Sequence, residues 1–148
     1  MNRDVGPAIG DGRLEFLDEQ SLAPGVGEGR LEQFVAAGGG LLVFLGDRVD
    51  RLSYNQQLWR DGKGLLPAEL TEVLGDDVAE SGLEKVDLAH PIISSQLAAH
   101  SQLIGQLKAN HWYGCVPNEA LPDTKVIARF DDPASSPAIV EKQFHRGK

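Results

Sequence analysis

The chain lacks most of the features that announce a function. It holds a single cysteine, Cys115, in 148 residues, so no intramolecular disulfide can form and no cysteine-based metal motif exists. Its longest apolar run, residues 41–45, falls far short of the roughly 18 residues needed to cross a bilayer. Basic residues are in the minority, 14 Lys and Arg against 22 Asp and Glu, and the net charge of −8 repels a polyphosphate backbone. No Lys/Arg stripe interleaved with aromatics overrides that average, which argues against a nucleic-acid partner. The opening Met1-Asn2-Arg3-Asp4 is not followed by the apolar stretch of a secretory signal, so the expected location is the cytoplasm.

What is present suffices for one folded domain. Hydrophobic residues make up 41% and charged residues 24% of the chain, inside the globular range. Gly6, Pro7, Gly10 and Gly12 mark residues 1–12 as a flexible lead-in, and residues 13–18 alternate enough to suggest a short first strand. In residues 28–37, Leu31, Phe34 and Val35 fall at i, i+3 and i+4, one stripe of an amphipathic helix that Gly38-Gly39-Gly40 ends. The run 41–45 then reads as a strand buried on both faces of a parallel sheet.

Further along, the pattern predicts a short helix over 51–59 with Asp50 as N-cap, and another over 67–74 that opens on Pro67 and stops at Gly75. Residues 82–88 suggest a weak edge strand broken by His90-Pro91. Residues 92–107 have broken helical spacing, and 111–116 are rich in aromatic and β-branched residues, as strands are. Residues 124–130 and 138–144, joined by a linker of Asp, Ser and Pro, predict an antiparallel hairpin.

The segment from Leu31 through Gly38-Gly39-Gly40 to Gly46-Asp47 resembles the helix-to-strand core of class I glutamine amidotransferase-like domains. It is most similar to the version found in bacterial membrane proteins that also carry a von Willebrand factor A-type domain. Gly64-Leu65-Leu66-Pro67-Ala68, Asp87-Leu88-Ala89-His90-Pro91, Val126-Ile127-Ala128-Arg129 and Pro137-Ala138-Ile139-Val140-Glu141 add to the likeness, which spans residues 13–148. The resemblance implies a flavodoxin-like three-layer α/β sandwich with a mostly parallel central sheet, closed by the C-terminal antiparallel hairpin. It also implies a domain shortened at its C-terminal end, and as partners the other domains of a membrane-associated protein.

Two departures bear on chemistry. Active members of that family follow the strand with a Gly-x-Cys-x-Gly turn that presents a thiolate, whereas this chain has Leu45-Gly46-Asp47-Arg48-Val49. The family's late His-x-Glu pair, which deprotonates the thiol, is also missing, because His145 is followed by Arg146-Gly147-Lys148. These absences predict a non-catalytic interaction or ligand-sensing module, with no catalytic residue, cofactor or metal.

The remaining candidates carry two meanings each. Gly46, Asp47, Arg48 and Asp50 sit where an open α/β sheet would place a ligand crevice, although Asp47 and Asp50 are also ordinary capping residues. Cys115 is a nucleophile if a histidine serves it, and otherwise a small apolar side chain. A hydrolase with an unrecognised site near Asp47 or Cys115 is therefore the alternative function. His90, His100, His111 and His145 lack the i, i+4 spacing that brings two imidazoles to one helix face. Trp59, Trp112 and Tyr113 suit either core packing or a carbohydrate or partner surface. A third possibility, a scaffold with an incomplete sheet edge, predicts self-association.

Overall fold

A computed structural model describes residues 28–94 and 101–148. The expected lead-in at 1–12, the expected strand at 13–18 and His100 lie outside the described residues. The chain divides into two compact units, one reaching to Phe44 and including Gln143–Lys148, the other formed by Leu45–Lys142.

The first unit is organised by α1 (Glu28–Ala36), the helix its apolar spacing predicts. Val35 is the buried member of the stripe, and Leu31 and Phe34 are half-buried. The helix stops where the glycines begin: Gly38 adopts φ +114°, its N–H donates to the Val35 carbonyl, and the Gly39 N–H donates to Phe34. That pair of bonds is a Schellman cap, which needs the left-handed residue that glycine supplies.

The last residues of the chain complete this cap. Phe144 and Gly147 exchange backbone hydrogen bonds of 2.8 and 3.0 Å, and the turn between them directs the Arg146 N–H to the Ala36 carbonyl. Gly147 lies against the Val35 and Gly39 carbonyl oxygens so closely that a side chain has no room.

Residues 41–45 depart most from expectation. Beyond a bridge position at Leu41 they carry no regular structure, and Leu42, Phe44 and Leu45 are 42%, 74% and 38% exposed. The mostly parallel, flavodoxin-like sandwich is therefore overturned: every strand pairing among the described residues is antiparallel. An apolar run becomes a central strand only when flanking strands cover both its edges, and no strand pair of the described residues includes it.

The second unit opens with α2 (Arg51–Tyr54), which continues as a π-helical turn over Asn55–Trp59. Arg60, Asp61 and Gly62 end it with φ of +48°, +55° and +82°. Next comes β1 (Ala68–Gly75), not the second helix that the Leu70, Val73 and Leu74 spacing suggests. Its partner, β4 (His111–Pro117), pairs from Ala68↔Pro117 to Gly75↔His111, with a bulge between Leu70 and Val73. The inward alternation of Ala68 and Leu70 ahead of that bulge is a period of two that helical spacing had masked.

A four-stranded sheet completes the unit, in the order β3 (Lys108–Ala109), β2 (Ser81–Glu84), β5 (Thr124–Phe130), β6 (Pro137–Lys142). Two helical stretches, α3 (Pro91–Ser94) and α4 (Ser101–Ile104), stand between β2 and β3 in the chain. Ile93 of α3, Ile104 of α4 and Ile127 of β5 form one buried cluster, flanked by Leu83, Val86 and Ile139. The β5–β6 hairpin expected from the sequence is present. Asp132 organises its turn by accepting from Ala134 N, Ser136 N and Ser136 Oγ.

Candidate functional site

The segment that the sequence marks as a ligand crevice is an exposed turn leading into a helix. Gly46, Asp47, Arg48 and Asp50 are all exposed, and the Val49 N–H closes the turn on the Gly46 carbonyl at 3.4 Å. Asp50 is the N-cap of α2: its Oδ1 accepts from Leu52 N at 3.1 Å and its Oδ2 from Ser53 Oγ at 2.7 Å. The Ser53 hydroxyl, opposed by desolvation and aided by the Leu52 and Ser53 amides, holds the Asp50 carboxyl below its ordinary range. Capping, one of the two meanings the sequence left open, is therefore the observed role of Asp50.

Cys115 occupies the middle of β4, half-buried, with its Sγ 3.8 Å from the Pro137 carbonyl oxygen. Burial pushes the thiol up to about 11, only partly opposed by the positive charge of Arg129. A nucleophilic thiolate needs the opposite environment, electropositive and at least partly open.

Sequence patterns gave little hint of the polar cluster where the 87–94 segment meets the β5–β6 hairpin. His90 is buried, its side chain only 5% exposed, and its Nε2 lies 3.2 Å from Glu141 Oε2. On the other side of the ring, Nδ1 accepts from the Ile92 N–H at 3.4 Å. A ring nitrogen that accepts carries no proton, so this geometry puts the proton of the neutral imidazole on Nε2, aimed at Glu141.

Across the hairpin, Glu141 is the register partner of Lys125. Lys125 Nζ in turn reaches Asp87 Oδ2 at 2.6 Å, a bond that is the main cause of a lowered Asp87 pKa. The Asp87 N–H donates to the Ile127 carbonyl at 2.8 Å, so backbone and side chain alike tie the segment to β5. The Asp87-Leu88-Ala89-His90-Pro91 motif was visible in the sequence, but its partners on β5 and β6 were not.

Lys142, the next residue on β6, is also buried. Its ammonium donates to the Gly62 and Gly64 carbonyls at 2.6 and 2.7 Å, which satisfies the backbone left bare by the left-handed turn at 60–62. Burial lowers its pKa, with Asp123 acting in the opposite sense and Arg60 in the same one.

The other candidates are distributed rather than convergent. His111 lies 3.6 Å from Asp77 at an exposed site, and His145 packs edge-on against Phe144. Trp112 stacks on Phe130 at 4.5 Å, and Tyr113 donates its hydroxyl to the Val49 carbonyl, so both serve packing. Among the described residues no group of three His, Cys, Asp or Glu side chains could hold a metal ion. No helix of the described residues is long and apolar enough to cross a membrane.

Comparisons with known proteins add no relative: no family model, curated protein or solved structure matches the chain.

Proposed function

We propose that this chain is a non-catalytic interaction or ligand-sensing module that works as one domain of a larger, membrane-associated protein. The observation that carries this is the commitment of two reactive groups among the described residues, the Cys115 thiol and the buried His90 ring, to internal contacts. The one thiol faces a carbonyl with its pKa raised to about 11, and both ring nitrogens of His90 are engaged inside the fold. A general base must reach a substrate proton within hydrogen-bond distance, and a ring held between a backbone amide and a buried glutamate does not present itself.

The hydrolase alternative near Asp47 or Cys115 has less support, because a thiol held protonated is a poor nucleophile and Asp47 stands in an exposed turn.

Hydrolysis assays on glutamine, amide and ester substrates test the reading, with wild type beside Cys115→Ala and Asp47→Asn. The expected result is turnover no faster than buffer for all three proteins. Turnover by wild type that disappears in either variant would overturn it.

A further inference from the structure

His90 sits at a junction that the proposed function does not use. It is the residue before α3, and its carbonyl accepts from the Ile93 and Ser94 amides at 2.9 and 2.8 Å while its ring accepts from Ile92. It thus acts as an N-cap through both backbone and side chain. The helix it caps inserts Ile93 into the core beside Ile104 and Ile127. On its far side the same ring is fixed to β6 through Glu141.

Only one protonation state fits this arrangement. The neutral ring offers one acceptor, to the Ile92 N–H, and one donor, to Glu141. The imidazolium has two donors and no acceptor. Adding a proton would set an N–H at Nδ1 against the Ile92 N–H, while the contact from Nε2 to Glu141 would become a charge-assisted pair. The two sides of the ring therefore respond in opposite senses. Charged groups that act on it include Glu141 from β6 and Asp87 from its own segment, and Asp87 is in turn bound by Lys125 of β5.

We propose that His90 is a protonation-sensitive latch. Its neutral ring holds α3 closed, and an added proton opens the first turn of α3 while the ring stays on Glu141. The hairpin β5–β6 keeps its pairing in both states, so the response is local.

Nuclear magnetic resonance on the full chain tests this between roughly pH 8 and pH 5, the range in which histidine changes charge. At the upper end, ring nitrogen shifts should place the proton on Nε2. Amide protection factors of Ile92, Ile93 and Ser94 should then fall about 5-fold as the ring titrates, the equivalent of losing one helix cap. Those of Val126 and Val140 should not change. In His90→Asn, whose neutral amide can cap but cannot titrate, the α3 amides should show no pH response. Glu141→Gln should keep the response.

A neutral ring protonated on Nδ1 would overturn the latch. So would equal loss of protection in α3 and the hairpin, or a pH response that survives in His90→Asn. The first two are read on the wild-type protein, so the test stands even if a variant folds poorly.

Discussion

The side chain of Asn55 pairs with the backbone of Leu70 as a neighbouring strand would. Its Nδ2 donates to the Leu70 carbonyl at 2.8 Å, and its Oδ1 accepts from the Leu70 N–H at 2.9 Å. One amide thus satisfies both polar groups of a residue whose side chain is buried, at the edge of β1 that β4 does not cover. Such an arrangement closes a strand edge without a strand.

Replacing Asn55 with Ala leaves the Leu70 N–H and carbonyl without their partner. The expected loss is about 1–3 kcal/mol, the usual penalty for an unsatisfied buried polar group. Urea unfolding should show the midpoint lowered with an unchanged slope. Asn55→Asp keeps an acceptor for the N–H but sets a carboxylate against the carbonyl, and it should rescue little.

Lys142→Met should also destabilise, by about 1.5–3 kcal/mol, because it removes charged hydrogen bonds to Gly62 and Gly64 while keeping the apolar stem. The pH dependence has a definite sign. Burial lowers the folded-state pKa of Lys142 below its ordinary 10.5, so between those two values the unfolded chain binds more protons than the folded one. Stability contributed by this residue therefore rises with pH across that window. Chemical denaturation from pH 8 to pH 11 should show wild type gaining relative to Lys142→Met.

Cys115 should react slowly in the native protein. With its thiol pushed up to about 11, alkylation rates at pH 8 should lie well below those of the unfolded chain and climb only as the pH nears that value. Mass spectrometry after timed iodoacetamide exposure, with and without urea, measures this. Equal rates in both states would contradict the packing of β4 against Pro137.

Gly147→Ala should damage the first unit selectively. The added Cβ would collide with the Val35 and Gly39 carbonyl oxygens, both backbone atoms of the α1 cap. Hydrogen exchange is expected to show α1 losing protection while the β5–β6 hairpin retains it.

Local chemistry determined several elements unaided. Leu31, Phe34 and Val35 followed by three glycines specify the face and the end of a helix locally, and α1 with its Schellman cap is the result, with residues 146–147 packed on that cap. Asp50 caps through residues two and three positions away, and the hairpin turn is built by Asp132 from its own neighbours. These bonds span a few residues, so the pattern that makes them can be read directly in the sequence.

Tertiary structure decided what depends on partners far along the chain. Residues 67–75 satisfy a helical stripe as well as a strand, and only pairing with β4 and the amide of Asn55 selects the strand. Residues 41–45 have the composition of a central strand, yet hydrophobicity specifies burial and not a partner, and Phe44 stands exposed. The His90–Glu141 contact and the grip of Lys142 on a loop 80 residues earlier arise because the hairpin lays β6 across segments that no local spacing connects to it. The sequence determined which residues could cap, turn and pair, whereas the fold alone determined which polar groups would be buried together.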